Sequence, residues 1–212
     1  MSSPRVLVAL AMLLVSACAS QPDLTKPVEP IGDFRLGHNV VLATGATEGP
    51  FSRDASEEEL AESVREAIET RLRRYDGDGL YHLGVRVEAF VLAQPGIPII
   101  FAPRSVLLMA MNVYDNETRE RLNDEPIRVT AFEGVNTGVP LVPSGFVKSR
   151  EQQLENLSIS AAQEIERILR SNRSTWFAPK PGRVRLDFTP GTPLTPEQQA
   201  VADAALEEAG GT

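Results

Sequence analysis

The chain has 212 residues, 42% of them hydrophobic and 24% charged, which suffices for one folded domain and excludes wholesale disorder. Twenty-one basic against 29 acidic residues give a net charge of −8. Such a chain lacks the basic field that nucleic acid requires. One cysteine and two histidines exclude an internal disulfide and a Cys-rich metal site, and they leave little material for histidine chemistry.

Arg5 is the first charge, and an unbroken apolar run follows from Val6 to Val15. A helical span of about 30 Å of hydrocarbon takes roughly 20 residues. The run is too short for that and fits the core of a secretory signal peptide. Val15-Ser16-Ala17-Cys18 comes next. Charge, apolar run, small residues and cysteine in this order resemble the lipobox of bacterial lipoproteins. The resemblance covers residues 1–18. It implies removal of residues 1–17, diacylglycerol on the Cys18 thiol and acylation of the new amino terminus. One acyl chain binds a bilayer marginally, at about 0.8 kcal/mol per buried CH₂, whereas several anchor firmly. Residue 19 is Ala and not Asp, which by the same resemblance implies the outer membrane, on its periplasmic face. The alternative is an ordinary signal peptide cut near Ala17, leaving a soluble periplasmic protein with a free thiol.

Residues 18–30 then form a lipidated cysteine and a proline-rich tether. Pro22, Pro27 and Pro30 favour an extended chain. At about 3.1 Å per residue it reaches roughly 35 Å.

A first strand is expected over 31–43, with Phe34, Leu36, His38, Val40 and Leu42 on one side. Gly45, Gly49 and Pro50 break it. Ser56 and Glu59 make a capping box, and Leu60, Val64, Ile68 and Leu72 draw the apolar stripe of a helix. Asp76-Gly77-Asp78-Gly79 stops that helix. It resembles the start of a calcium loop, but the twelfth position is Val87, where the loop needs Glu. Leu83, Val85, Val87, Ala89 and Val91 alternate with Gly84, Arg86, Glu88 and Phe90, which predicts a half-buried strand.

Gln94 to Pro103 carries three prolines with Ile97, Ile99, Ile100 and Phe101 between them and no charge. Exposed apolar clusters of this kind mark contact surfaces; the alternative is a loop folded over an open sheet face. Arg104 to Tyr114 is apolar on both sides. Its Leu107, Met109 and Met111 are expected to face outward and to join the loop in a partner or ligand contact. A further strand is expected over 126–133. Ser149 and Gln152 open a second helix, with Leu154, Leu157, Ala161, Ile165 and Ile168 as its stripe. Trp176 and Phe177 are expected to dock on the core. Residues 178–212, rich in proline, read as a flexible tail with a short helix over 197–209.

The order β-α-β-β-β-α predicts an α+β fold over residues 31–177. It is a two-layer sandwich with a mostly antiparallel sheet and two helices on one face. Together with the lipobox, this layout resembles small α/β lipoproteins of the Gram-negative envelope, such as the accessory lipoprotein of lipopolysaccharide assembly and the auxiliary lipoproteins of lipid-transport systems. That likeness implies a membrane-anchored protein that works by binding in an envelope complex.

His38 and His82 stand in different elements and read as structural or surface residues. Ser144 lacks a nucleophile elbow. The acids at Glu57–Glu59 and Glu207–Glu208 read as solvated faces. No metal, cofactor or catalytic site is expected. The alternative functions are a carrier of a small apolar ligand with a pocket near residues 97–111, and an enzyme acting on envelope polymers, which needs convergent carboxylates or histidines.

Overall fold

A computed structural model describes residues 24, 27–94, 105–133, 149–191, 193, 196 and 200. The elements among them are β1 (Phe34–Leu42), β2 (Thr47–Glu48), α1 (Glu57–Leu72), β3 (Gly79–Val91), β4 (Val106–Asp115), β5 (Ile127–Phe132), α2 (Arg150–Ser171) and α3 (Arg173–Trp176).

Both long helices begin where the capping boxes require. Ser56 Oγ accepts from the Glu59 N–H while the Glu59 carboxylate accepts from the Ser56 N–H, and Ser149 and Gln152 repeat the exchange. Each box satisfies two backbone donors that a helix start leaves open. On α1 the stripe Leu60, Val64, Ile68 and Leu72 is fully buried. On α2 Leu154, Leu157, Ala161 and Ile165 are buried, but in the last turn Leu169 replaces Ile168 as the inward residue.

The sheet runs β1-β3-β4-β5, with β2 beside the far end of β3. β1 pairs with β3 in parallel, since α1 carries the chain back between them. The pairings β3-β4 and β4-β5 are antiparallel. The sheet is therefore mixed, and α1 and α2 pack side by side on one face. The pairs Glu59–Arg150, Ser63–Ser158 and Arg71–Glu166 link them in the same order along both, so they descend together. Phe177 is fully buried at their lower end, tilted against Phe34 and edge-on to Tyr81 and Trp176.

Two β-bulges decide which side chains reach the core. In β1, Gly37 and His38 together oppose His82, because Leu36 pairs with Tyr81 and Asn39 with Leu83. Beyond the bulge Val41 and Ala43 point inward, and Val40 and Leu42 turn away from the core, as does His38. In β3 an extra residue lies between Val87 and Ala89, so Phe90 and Leu92 become core residues in place of Ala89 and Val91. A bulge adds one residue to a two-residue period and so exchanges the faces.

Beyond the bulge-free half of β3, the register fixes β4. Met111 lies opposite Val85, Met109 opposite Val87 and Leu107 opposite Phe90. Leu107, Met109 and Met111 are 0%, 1% and 0% exposed, under the helices. The expectation that they face outward is therefore corrected. With apolar side chains on both sides of β4, only its pairing with the inward residues of β3 decides the phase.

Candidate functional site

The second face of the sheet has no helix over it among the described residues. Its upper half, toward the ends of β3 and β5, carries one apolar row of cross-strand neighbours, Val91, Val106 and Phe132, and below it Ala89 and Leu108. Leu108 is 39% and Phe132 43% exposed. Arg128 and Thr130 on β5 and Glu88 on β3 lie exposed around them. Ile97, Ile99, Ile100 and Phe101 fall outside the described residues, as does Cys18. Gln94 and Ser105, which flank the apolar loop, sit at this same upper end. There the Gln94 amide donates to the Ser52 carbonyl (2.9 Å), and the Ser105 hydroxyl donates to Glu133 (2.8 Å).

The lower half of this face brings the two histidines together, which the sequence did not signal. The β1 bulge swings the His38 N–H toward His82, and it donates to His82 Nδ1 at 2.8 Å. With Nδ1 accepting, the proton sits on Nε2, which donates to Asn116 Oδ1 at 2.9 Å. The rings stand 5.0 Å apart. Gly37 is required here, because a Cβ on it would lie 2.4 Å from His82 Nδ1. Burial lowers the affinity of both rings for a proton; the Arg73 charge adds to this at His38, while the bond to Asn116 opposes it at His82.

Residues 178–191 correct the reading of a free tail. They run beside β1 as an extended strap held by side chains. Arg183 is 7% exposed in its side chain; it donates to Asp33 (2.8 Å), to the Tyr81 hydroxyl (3.0 Å) and to Glu117 (3.0 Å). Its guanidinium also lies over the Tyr81 ring, 5.6 Å from the centroid. Lys180 pairs with the buried Asp115 at 2.9 Å. Burial pushes the Asp115 carboxyl up, but the bonds from Lys180 and from the Glu117 N–H outweigh it and hold the carboxyl below its ordinary value. Gly79 is the gate for this arrangement, since a Cβ there would meet Arg183 Nη1 at 2.2 Å. Higher up, Arg35 donates to the Leu186 carbonyl at 2.6 Å, and Phe188 stands edge-on to His38 with Arg73 on its face. The Asp76–Gly79 turn serves as a helix stop and as a landing place for Arg185. A cavity of about 280 Å³ remains between the strap and the sheet end, lined among others by Leu80, Asn116, Pro181 and Val184. The expected helix over 197–209 lies outside the described residues.

On the helix face, the acids at the start of α1 are not simply solvated. Glu57 accepts from the Gly45 N–H, and Glu59 binds Arg150 of α2 at 2.6 Å, which with the cap holds its carboxyl down to about 2. Lower down, Glu166 joins Arg71, Tyr75 and Arg170. Burial, then the Glu166 carboxylate, pushes the Tyr75 hydroxyl up to about 12. Between the helices a groove of about 330 Å³ is lined by Ser63, Ala67, Thr70, Ile159 and Ala162, with Leu24 of the tether at its rim.

These arrangements suit binding by shape and charge. Among the described residues no group of three or more His, Cys, Asp or Glu side chains is placed to hold a metal, and no helix is long and apolar enough to cross a membrane. Leu107, Met109 and Met111 are packed into the core.

No family model matches the chain, and no curated protein matches it. Solved structures share the general layout. A protein of a family of unknown function from Xanthomonas campestris is 13% identical, with 70% of this chain and 92% of that one covered and a TM-score of 0.40. A minor lipoprotein from Acinetobacter baumannii is 13% identical over 66% and 95% of the two chains, with a TM-score of 0.32. A candidate lipoprotein from Caulobacter crescentus is 15% identical over 59% and 90%, with a TM-score of 0.34. Two of these three structures are named as lipoproteins.

Proposed function

We propose that this chain is a lipoprotein of the bacterial envelope, anchored through Cys18 and working by binding, without catalysis, as an accessory or scaffold component on the periplasmic face of the outer membrane. The partner is another envelope protein, and the contact surface is the upper half of the open sheet face. One observation carries this reading: among the described residues the sheet is covered on one face only, and neighbouring strands on the other expose Leu108 and Phe132 within a rim of both charge signs. A small apolar centre with a mixed polar rim matches the anatomy of a protein contact better than that of a bilayer-inserting surface. The lipobox supports the anchor, and Ala19 supports the outer membrane.

Metabolic labelling with a radioactive fatty acid tests the anchor. Wild type takes up label and sediments with membranes, and Cys18→Ser loses both. Crosslinking in intact cells, followed by pull-down in mild detergent, tests the contact. Wild type brings a partner protein down, and Leu108→Glu with Phe132→Glu does not. Recovery of labelled wild type as a lone monomer overturns the binding role and leaves the anchor intact.

A further inference from the structure

The tether does not leave the domain where the folded chain begins. Ile31 is fully buried, and the Asp33 N–H donates to the Phe177 carbonyl at 2.7 Å, so the chain enters at the lower end of the helix layer. Upstream of that point the tether stays on the protein. Val28 packs at the edge of the core, and Arg170 near the foot of α2 donates to the Glu29 carbonyl at 3.2 Å and pairs with its carboxylate at 3.6 Å. Leu24 then lies at the rim of the groove between the helices, with Ala67, Thr70, Ile159 and Ala162. Ile159 is eleven residues before Arg170, or about 16 Å up the helix at 1.5 Å per residue. Glu29 and Leu24 thus lie at different heights on the outer surface of the helix layer.

The groove suits such an occupant. Small side chains let α1 and α2 approach, as the 2.8 Å contact between the Ser63 and Ser158 hydroxyls shows, and Ala67, Ile159 and Ala162 give the groove an apolar strip beside Glu66, Arg71 and Glu155. Leu24 is 41% exposed, so only part of its side chain is covered at the groove rim.

We propose that the groove between α1 and α2 is the seat of the chain's own tether. The seat shortens the leash and turns the helix layer toward the bilayer, leaving the open sheet face directed away from it. This inference rests on acylation at Cys18. Only residues 19–23 then separate the anchor from the seated Leu24. At about 3.1 Å per residue they reach roughly 15 Å, against roughly 35 Å for the unseated tether.

The test uses the acylated full-length chain on a supported bilayer, with the height of the domain read by neutron reflectometry. Leu24→Asp places a charge over the groove without touching the core, so the fold is retained. It raises the domain by up to about 20 Å, the difference between the two reaches. Acylated Cys18 carries no free thiol, so Leu24→Cys with Ala67→Cys introduces the only pair. That pair crosslinks under mild oxidation and holds the domain at the wild-type height, while Leu24→Cys with Leu108→Cys does not crosslink. Equal heights for wild type and Leu24→Asp, or no crosslink at position 67, overturn the seat. Loss of the wild type from the bilayer overturns the anchor instead, whatever the crosslink shows.

Discussion

The two faces of the sheet are held by different physics. Under the helices, Leu36, Leu83, Val85, Val87, Met109 and Met111 meet Leu60, Val64, Ile68, Leu157 and Ile165, all 0–1% exposed. Burial of this kind is non-directional and scales with area, and salt or mild acid hardly changes it. On the open face and at the lower sheet end, order comes from directed pairs: Arg183 with Asp33 and Tyr81, Lys180 with Asp115, His38 with His82. These depend on geometry, on protonation and on both partners being present. The first face makes the domain stable. The second rests on contacts that solution conditions can change.

Leu107 and Leu108 are neighbours in sequence on opposite faces, so they give the sharpest contrast. Leu107→Ala empties a packed core site and costs about 3 kcal/mol, within the range for buried leucines. Leu108→Ala, at a 39% exposed position, costs less than about 1 kcal/mol. Urea midpoints at constant slope read both values. Equal losses would show that β4 is buried on both sides and would remove the contact surface proposed on it.

Arg183→Ala ranks next. It removes a guanidinium that is nearly enclosed and leaves Asp33 and Tyr81 without their shared donor. The cost is about 2 kcal/mol, the scale of hydrogen bonds to a charged group. Arg183→Lys recovers little of it, because one ammonium cannot address Asp33, Tyr81 and Glu117 with a planar fork. The selective readout is proteolysis between residues 178 and 191, which quickens in Arg183→Ala with the core still folded. Unchanged cleavage would mean that Lys180, Arg185, Phe188 and the Arg35 contact hold the strap without Arg183.

The covered face carries a fully buried amide. Gln153 is fully buried on α2, and neither of its amide atoms has a partner among the described residues. An unpaired buried amide costs roughly 1–3 kcal/mol. Gln153→Met therefore raises the urea midpoint, with a gain of about 1 kcal/mol after repacking. A loss of stability would show that the amide is engaged in a way the apolar setting does not reveal.

The helices were legible because their signals are local and repeated. A capping box spans four residues, and a stripe at every fourth position survives small errors of phase. The strands were legible as strands and not as faces. Alternation along Leu83, Val85, Val87, Ala89 and Val91 continues without a break in the sequence, yet one extra residue past Val87 sends Phe90 inward. The same happens at Gly37 and His38. The two-residue strand β2 lies in a stretch of Gly and Pro that reads as a break. The strap was illegible for a related reason. Arg183 and Asp33 are 150 residues apart, and nothing near either marks the pairing. Prolines in 178–196 exclude a central strand, but an extended segment held by side chains needs no backbone ladder.

The histidine pair supplies the smallest and most selective test of the open face. His82 accepts the His38 N–H at Nδ1, so a proton added there breaks that bond and faces a second ring 5.0 Å away. A proton added to His38 faces Arg73 from α1, with Phe188 of the strap against the ring. Asp115 and the Asn116 oxygen favour a charge on His82, but burial prevails and the folded protein binds protons less readily than the unfolded chain. The sign follows from linkage: the unfolded state takes up more protons as the pH falls, so the contribution is complete above about 6.5 and is lost below it. The depressed carboxylates, such as Glu59 at about 2, release their share only in stronger acid. Between pH 7 and pH 5 the thermal midpoint of the wild type therefore falls, and His82→Gln with His38→Gln flattens that slope while leaving the core intact. Phe188, as the ring touching His38, gives the local readout: proteolysis near it rises in wild type over the same interval and stays level in the double variant. A wild-type midpoint that holds constant from pH 7 to pH 5 would mean that both rings accept protons without disturbing the bulge, and the open face would lose its one element sensitive to mild acid.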